Sequence, residues 1–185
     1  MKNLKTKTEL SKKDILNLLK EISNNLKKLN TKGEIILYGG AVMAIVFNAR
    51  KSTKDVDAIF EPAAVIRKIV KDIGQKKSLS ETWLNDGIKG FIHKKGEYSL
   101  FYEDNNLKIF AATPEYILAM KCISMRLAES KDEEDIIFLI KKLKLADKES
   151  VFKIIEKYYP IKLIPAKTQF AIEELFERIN NAQGI

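Results

Sequence analysis

From Ser11 to Thr31 the apolar residues Ile15, Leu18, Leu19, Ile22, Leu26 and Leu29 recur three or four positions apart, the spacing of one helix face. Ser11 stands where an N-cap belongs, with Asp14 at the capping-box position, and the run closes near Thr31-Lys32-Gly33. The period then changes. Residues 34–38 read as a strand, 40–48 as a helix, and 55–60 as a second strand closed by Pro62. Ala41, Met43, Ala44, Val46 and Phe47 give that helix an apolar face that needs a sheet to cover it. Residues 63–73 predict a helix stopping at Gly74, and 80–90 a short helix between loops. Two strands, 98–102 and 107–110, flank the polar connection Glu103-Asp104-Asn105-Asn106, so the sheet has at least four strands. Thr113-Pro114-Glu115 opens a helix that packs Tyr116, Leu118, Met120, Ile123 and Leu127 inward. Lys131-Asp132 opens another, and helices at 148–158 and 167–181 follow, their link bracketed by Pro160 and Pro165.

Strands interleaved with helices predict an α/β fold: a mixed sheet flanked by helices, with a helical C-terminal extension. No composition break or repeat divides the 185 residues, so a single domain is expected: an N-terminal amphipathic helix over 1–30, a core over 31–140 and the extension over 141–185. A chain of this length buries about two-thirds of its unfolded surface. The single cysteine excludes an internal disulfide, no segment has the parts of a secretory signal, and the apolar runs are too short to span a bilayer. A cytoplasmic protein without a membrane partner is the expectation. The net charge of +8 is carried by the flanks, +5 over residues 1–30 and +3 over 141–185, around a neutral middle. Such flanks either draw a polyanion toward the centre or form a lysine-rich solvated surface.

The densest chemistry lies in residues 37–60, LYGGAVMAIVFNARKSTKDVDAIF. Alternation along a strand sends Asp55 and Asp57 to one side and turns Val56 into the core. Paired carboxylates repel unless a cation lies between them, and an all-oxygen site suits Mg²⁺, with Mn²⁺ as a substitute. The Gly39-Gly40 turn either ends a strand or lets a triphosphate approach the backbone. Arg50, Lys51 and Lys54 either meet the same negative charge or are ordinary surface residues, and Thr53 either bonds a phosphate or braces the loop. Lys121 interrupts an apolar helix, so its ammonium either snorkels to the surface or is neutralised by a triphosphate or an aspartate. Asp132 and Asp135 are acids at a helix start. His93 is the only histidine, which leaves little support for a histidine-based metal site; Cys122 reads as a small core residue, and Trp83 as a packing anchor rather than a base-stacking platform.

The series Gly39, Gly40, Arg50, Thr53, Asp55 and Asp57, followed by PEYILAMKCISMRLAESKDEEDIIFL with Lys121, Asp132 and Asp135, resembles the nucleotidyltransferase superfamily. Within it the chain is most similar to the AbiEii-like toxins and to neighbouring uncharacterised nucleotidyltransferase-like proteins, whose Trp-Leu-Asn segment is matched by Trp83-Leu84-Asn85-Asp86. The resemblance spans roughly residues 33–140. It implies a nucleotidyltransferase fold in which Asp55 and Asp57 hold Mg²⁺, Gly39, Gly40, Arg50 and Thr53 receive the phosphates of an NTP, and Lys121 and Asp135 act in support as catalytic residues. The implied reaction moves an NMP group to an acceptor such as tRNA, another RNA or a protein. It also implies a toxin with a cognate antitoxin as partner.

Polymerase-like members of the superfamily carry a third carboxylate on a later central strand. Here Leu107-Lys108-Ile109-Phe110 has a lysine and no acid, with Glu97, Glu103 and Asp104 nearby. Two other readings therefore stand beside the transferase: a degenerate relative that binds nucleotide for regulation, and an interaction module that docks a partner through its N-terminal helix.

Overall fold

The computed structural model describes residues 9–94, 96–125 and 131–183. Backbone contacts divide the chain into two units, Met1–Gly90 with Tyr98–Ala112, and Phe91–Glu97 with Thr113–Ile185.

The first unit is built on a five-stranded mixed sheet. In chain order it contains β1 (Leu10–Ser11), α1 (Lys12–Lys28), β2 (Gly33–Leu37), α2 (Gly39–Ile45), β3 (Ser52–Thr53), β4 (Val56–Glu61), α3 (Ala63–Lys77), β5 (Leu84–Asn85), β6 (Tyr98–Glu103) and β7 (Leu107–Ala112). The sheet runs β5-β4-β2-β7-β6; β4–β5 and β2–β7 are parallel, the other pairs antiparallel. Strand alternation has the expected result on β4, where Val56, Ala58 and Phe60 are buried and Asp57 is half-buried. Across β2, Ile35 pairs with Phe60 and Leu37 with Ala58, which puts four apolar side chains into one layer. Helix α1 buries Ile15, Leu18, Leu19, Ile22 and Leu26 and packs against α2 and α3. Its start is the capping box: Asp14 N–H donates to Ser11 Oγ at 3.2 Å and Ser11 N–H to Asp14 Oδ2 at 2.9 Å.

Several boundaries differ from expectation, each for a local reason. Leu29 is 57% exposed because α1 has already ended at Lys28. Helix α2 is shorter than 40–48, and Asn48, with φ +55°, turns the chain away. Gly74 does not stop α3, which continues to Lys77 and ends at Ser78 in the left-handed region. The chain returning past Gly74 explains the glycine, since a Cβ there would lie 2.7 Å from the Ser80 carbonyl oxygen. Within 80–90 the chain makes a fifth strand, β5, before a 3₁₀ turn at Gly87–Phe91. Strands β1 and β3, unanticipated, pair antiparallel, Leu10 opposite Thr53 and Ser11 opposite Ser52.

The second unit is helical: α4 (Pro114–Ser124), α5 (Asp132–Lys142), α6 (Lys148–Tyr158) and α7 (Ala166–Gln183). Thr113 caps α4 and Pro114 occupies its first turn, as the sequence predicts. Tyr116, Ile117, Leu118, Ile136, Leu139, Ile155 and Ile172 are buried, and the rings of Tyr116 and Tyr158 lie 4.7 Å apart by centroid. Leu127, expected on the buried face of α4, lies outside the described residues. No helix among the described residues is long and apolar enough to cross a membrane.

Candidate functional site

In the first unit β2 ends, the chain turns through Tyr38 and Gly39, and Asp57 stands on the neighbouring strand. Tyr38 N–H donates to the Asp57 carbonyl at 2.9 Å, tying the turn to β4. The Tyr38 side chain is fully buried, its hydroxyl 3.0 Å from that of Tyr98 and the two rings edge to face. Gly39 has φ +55°, where a side chain is strained, and a Cβ there would come within 2.7 Å of Asp57 Oδ2. A Cβ on Gly40 would collide with Thr53 Oγ1 and lie 3.0 Å from Arg50 Nη1. Both glycines are thus required by the protein's own side chains. They are also where Asp57, Thr53 and Arg50 come together.

Each partner is positioned by a separate element. Thr53 is 7% exposed because β3 is paired with β1, so the N-terminal strand braces the loop that carries it. Arg50 is half-buried, while Lys51 and Lys54 are exposed. Asp55, just before β4, is exposed, and Asn85 Nδ2 donates to its Oδ2 at 3.3 Å. Helix α2 has only seven residues. A helix this short offers little dipole to the turn, whose geometry is set by the two glycines.

Lys121, Asp132 and Asp135 form a cluster within the second unit. Lys121 Nζ on α4 lies 2.6 Å from Asp132 Oδ1 and 2.9 Å from Asp135 Oδ2, both from the first turn of α5. The Lys121 and Asp135 side chains are only 12% and 3% exposed, so of the alternatives open from sequence, neutralisation by aspartates is the one observed. Cys122, beside Lys121, is buried, and burial pushes its thiol up to about 12, which leaves no thiolate nucleophile at neutral pH. Trp83 is 2% exposed, its indole N–H donating to the Val70 carbonyl at 3.1 Å, as suits a packing anchor.

Strand β7 carries no acid, as the sequence predicts, and the register shows where its lysine lies. Lys108 pairs with Glu34, whereas the turn end of β7 is Ala111, opposite Leu37. Three residues of strand put Lys108 about 10 Å along β7 from that end. The carboxylates near β7 in sequence have other employment. Glu103 pairs with Lys108 at 2.9 Å; Asp104 accepts from Ser23, Tyr102 and the N–H groups of Asn106 and Leu107. In the second unit, Glu97 pairs with Lys157 at 2.6 Å and accepts from the Tyr158 hydroxyl, and the lysine holds its carboxyl below the usual range.

Among the described residues no three His, Cys, Asp or Glu side chains converge to hold a metal by themselves. The donor chemistry of Asp55 and Asp57 fits Mg²⁺ of the kind that takes one or two protein carboxylates and fills its shell with phosphate oxygens and water. No curated protein and no solved structure matches the chain significantly. The model of one family covers residues 13–162, a span that holds the glycine turn, the acidic pair, Asn85 and the Lys121 cluster. The chain accordingly belongs to the family described as "Nucleotidyltransferase of unknown function (DUF6036)".

Proposed function

We propose that the Gly39–Asp57 site binds a nucleoside triphosphate with Mg²⁺ and that the protein transfers the NMP group to an acceptor, releasing pyrophosphate. The observation that carries this reading is the meeting of Gly39 and Gly40 with Asp57, Thr53 and Arg50 in one turn. Arg50 offers a fixed fork of donors to phosphate oxygens. The absence of glycine side chains lets Asp57, Thr53 and Arg50 close on the turn at which the triphosphate would bind. Asp55 and Asp57 would hold the metal, which when bound draws charge from the phosphorus under attack and from the departing pyrophosphate. In the transfer a bond forms between an acceptor oxygen and the α-phosphorus while the bond to pyrophosphate breaks.

The resemblance to AbiEii-like proteins supports a finer reading in which the acceptor is tRNA, another RNA or a protein and the chain is the toxin of a toxin–antitoxin pair. It also supports Lys121 and Asp135 as catalytic residues, although their geometry within the second unit is that of a near-buried ion cluster. A second reading, nucleotide binding without transfer, is favoured by one observation: β7 carries no carboxylate anywhere along its length. Incubation with each α-labelled NTP, Mg²⁺ and total cellular RNA or protein separates the two. Transfer predicts covalent label on an acceptor with stoichiometric pyrophosphate. Tight nucleotide binding with neither product supports the second reading.

A further inference from the structure

Strand β5 is only two residues long, yet it lies directly beside the acidic pair: Leu84 is opposite Val56, and Asn85 is opposite Asp57. The strand is anchored before it reaches Asn85. Val56 N–H donates to the Trp83 carbonyl at 2.8 Å, and Trp83 and Leu84 are 2% and 3% exposed. With its two predecessors locked inward, Asn85 presents its side chain at the end of β4 that bears the acids.

The orientation of its amide follows from hydrogen-bond chemistry. Gly87 N–H donates to Asn85 Oδ1 at 3.0 Å, and only the oxygen of an amide can accept. The NH₂ end is therefore the end that faces Asp55, 3.3 Å from Oδ2. Asp55 is exposed and directly precedes β4. The neighbouring acid, Asp86, is engaged by Arg67 at 2.5 Å and Lys89 at 2.8 Å and is held below the usual carboxylate range by those two cations. Those contacts fix the turn that follows Asn85.

We propose that Asn85 is a positioning residue of the acidic pair: its amide restrains the Asp55 carboxylate for metal binding and completes the site from edge strand β5. This rests on the metal–nucleotide reading of the Gly39–Asp57 site. Partners of metal-ligating groups typically contribute 10–100-fold in metal affinity. A loss of about that size is expected for Asn85→Ala.

The test titrates Mn²⁺ together with ATP, GTP, CTP or UTP, and the same nucleotides in EDTA, into the unaltered protein and Asn85→Ala. The expected result is Mn²⁺ binding weakened roughly 10–100-fold with metal-free nucleotide binding unchanged. In the unaltered protein the side-chain amide resonance of Asn85 broadens as Mn²⁺ binds, a readout that stands even where the alanine variant fails to fold. Equal Mn²⁺ affinity in the two proteins, or an amide signal that stays sharp, overturns the role of Asn85 and leaves the site intact. Equal loss of metal-free binding makes Asn85 a general structural residue and overturns it too. Failure of the unaltered protein to bind Mn²⁺ with any of the four nucleotides removes the underlying site and this role together.

Discussion

The end of the sheet where β2 begins and the end where it turns into α2 both carry acids, and they hold them in different ways. At the beginning, Glu34, Glu61, Glu103 and Asp104 line an open groove of about 990 Å³ together with Lys32 and Lys108. Lys108 is paired with Glu103, and Asp104 is saturated by four donors. At the turn, Asp57 stands against a glycine with no space for a Cβ, and Asp55 meets a neutral amide. The groove lies at the end whose Asp104 and Glu103 already serve the fold. Neither the number of acids nor the volume of a groove by itself marks a site; what distinguishes the turn end is the close approach of Asp57 and Thr53 to its two glycines.

Lys121 with Asp132 and Asp135 extends that contrast into the second unit, as acids neutralised within the fold. Lys121→Met would remove the cation 2.9 Å from the nearly buried Asp135, and loss of one partner of such a pair costs about 3–5 kcal/mol. Denaturant unfolding measures this; loss of activity at unchanged stability would instead mark Lys121 as catalytic. Next in size is Gly39→Ala at the turn. Forcing a side chain into the left-handed region costs about 1–2 kcal/mol, and the Cβ also displaces Asp57, so nucleotide affinity should fall with stability. Gly90→Ala, where a Cβ meets nothing within 4 Å, is the control.

At the opposite end the effects are structural and pH-dependent. Burial raises the Asp104 carboxyl, but hydrogen bonds from Ser23, Asn106, Tyr102 and Leu107 outweigh it and bring the group below its ordinary value of 3.8. A carboxyl depressed in the folded state adds stability above its unfolded value that is lost as pH falls through the folded one. Ser23→Ala should therefore cost about 1 kcal/mol at neutral pH, and the difference from the unaltered protein should shrink below about pH 4. Thermal unfolding across pH checks both the size and the sign. The smallest effect is expected for Lys108→Ala, whose exposed pair with Glu103 is worth about 0–1 kcal/mol; nucleotide affinity should not change. An altered affinity would move the functional end of the sheet.

Long periodic elements were readable from the sequence. Helix α1 with its Ser11-Asp14 box, the alternation that buries Val56 beside Asp57, and the Thr113-Pro114 start each express a local rule within a few residues. The gathering of Arg50 and Thr53 at the glycines is tertiary. It depends on β1 and β3, two-residue strands too short to show a period. Strand β5 is equally short, so Trp83-Leu84-Asn85 shows a family resemblance without showing a strand. The strand at 107–110 and its lack of an acid were legible, but not which residue of β2 Lys108 lies beside. Gly74 shows the reverse error: a residue that usually breaks helices is here a space for the passing Ser80 carbonyl.

The central claim is that the glycine turn and the acids beside it form a metal–nucleotide site. Equilibrium binding of each labelled NTP with Mg²⁺, compared between the unaltered protein and Asp57→Ala with the fold verified by circular dichroism, tests it most directly. Metal-dependent binding by the unaltered protein, lost in Asp57→Ala with an unchanged spectrum, is the predicted result. Equal metal-dependent binding by the two proteins would contradict it.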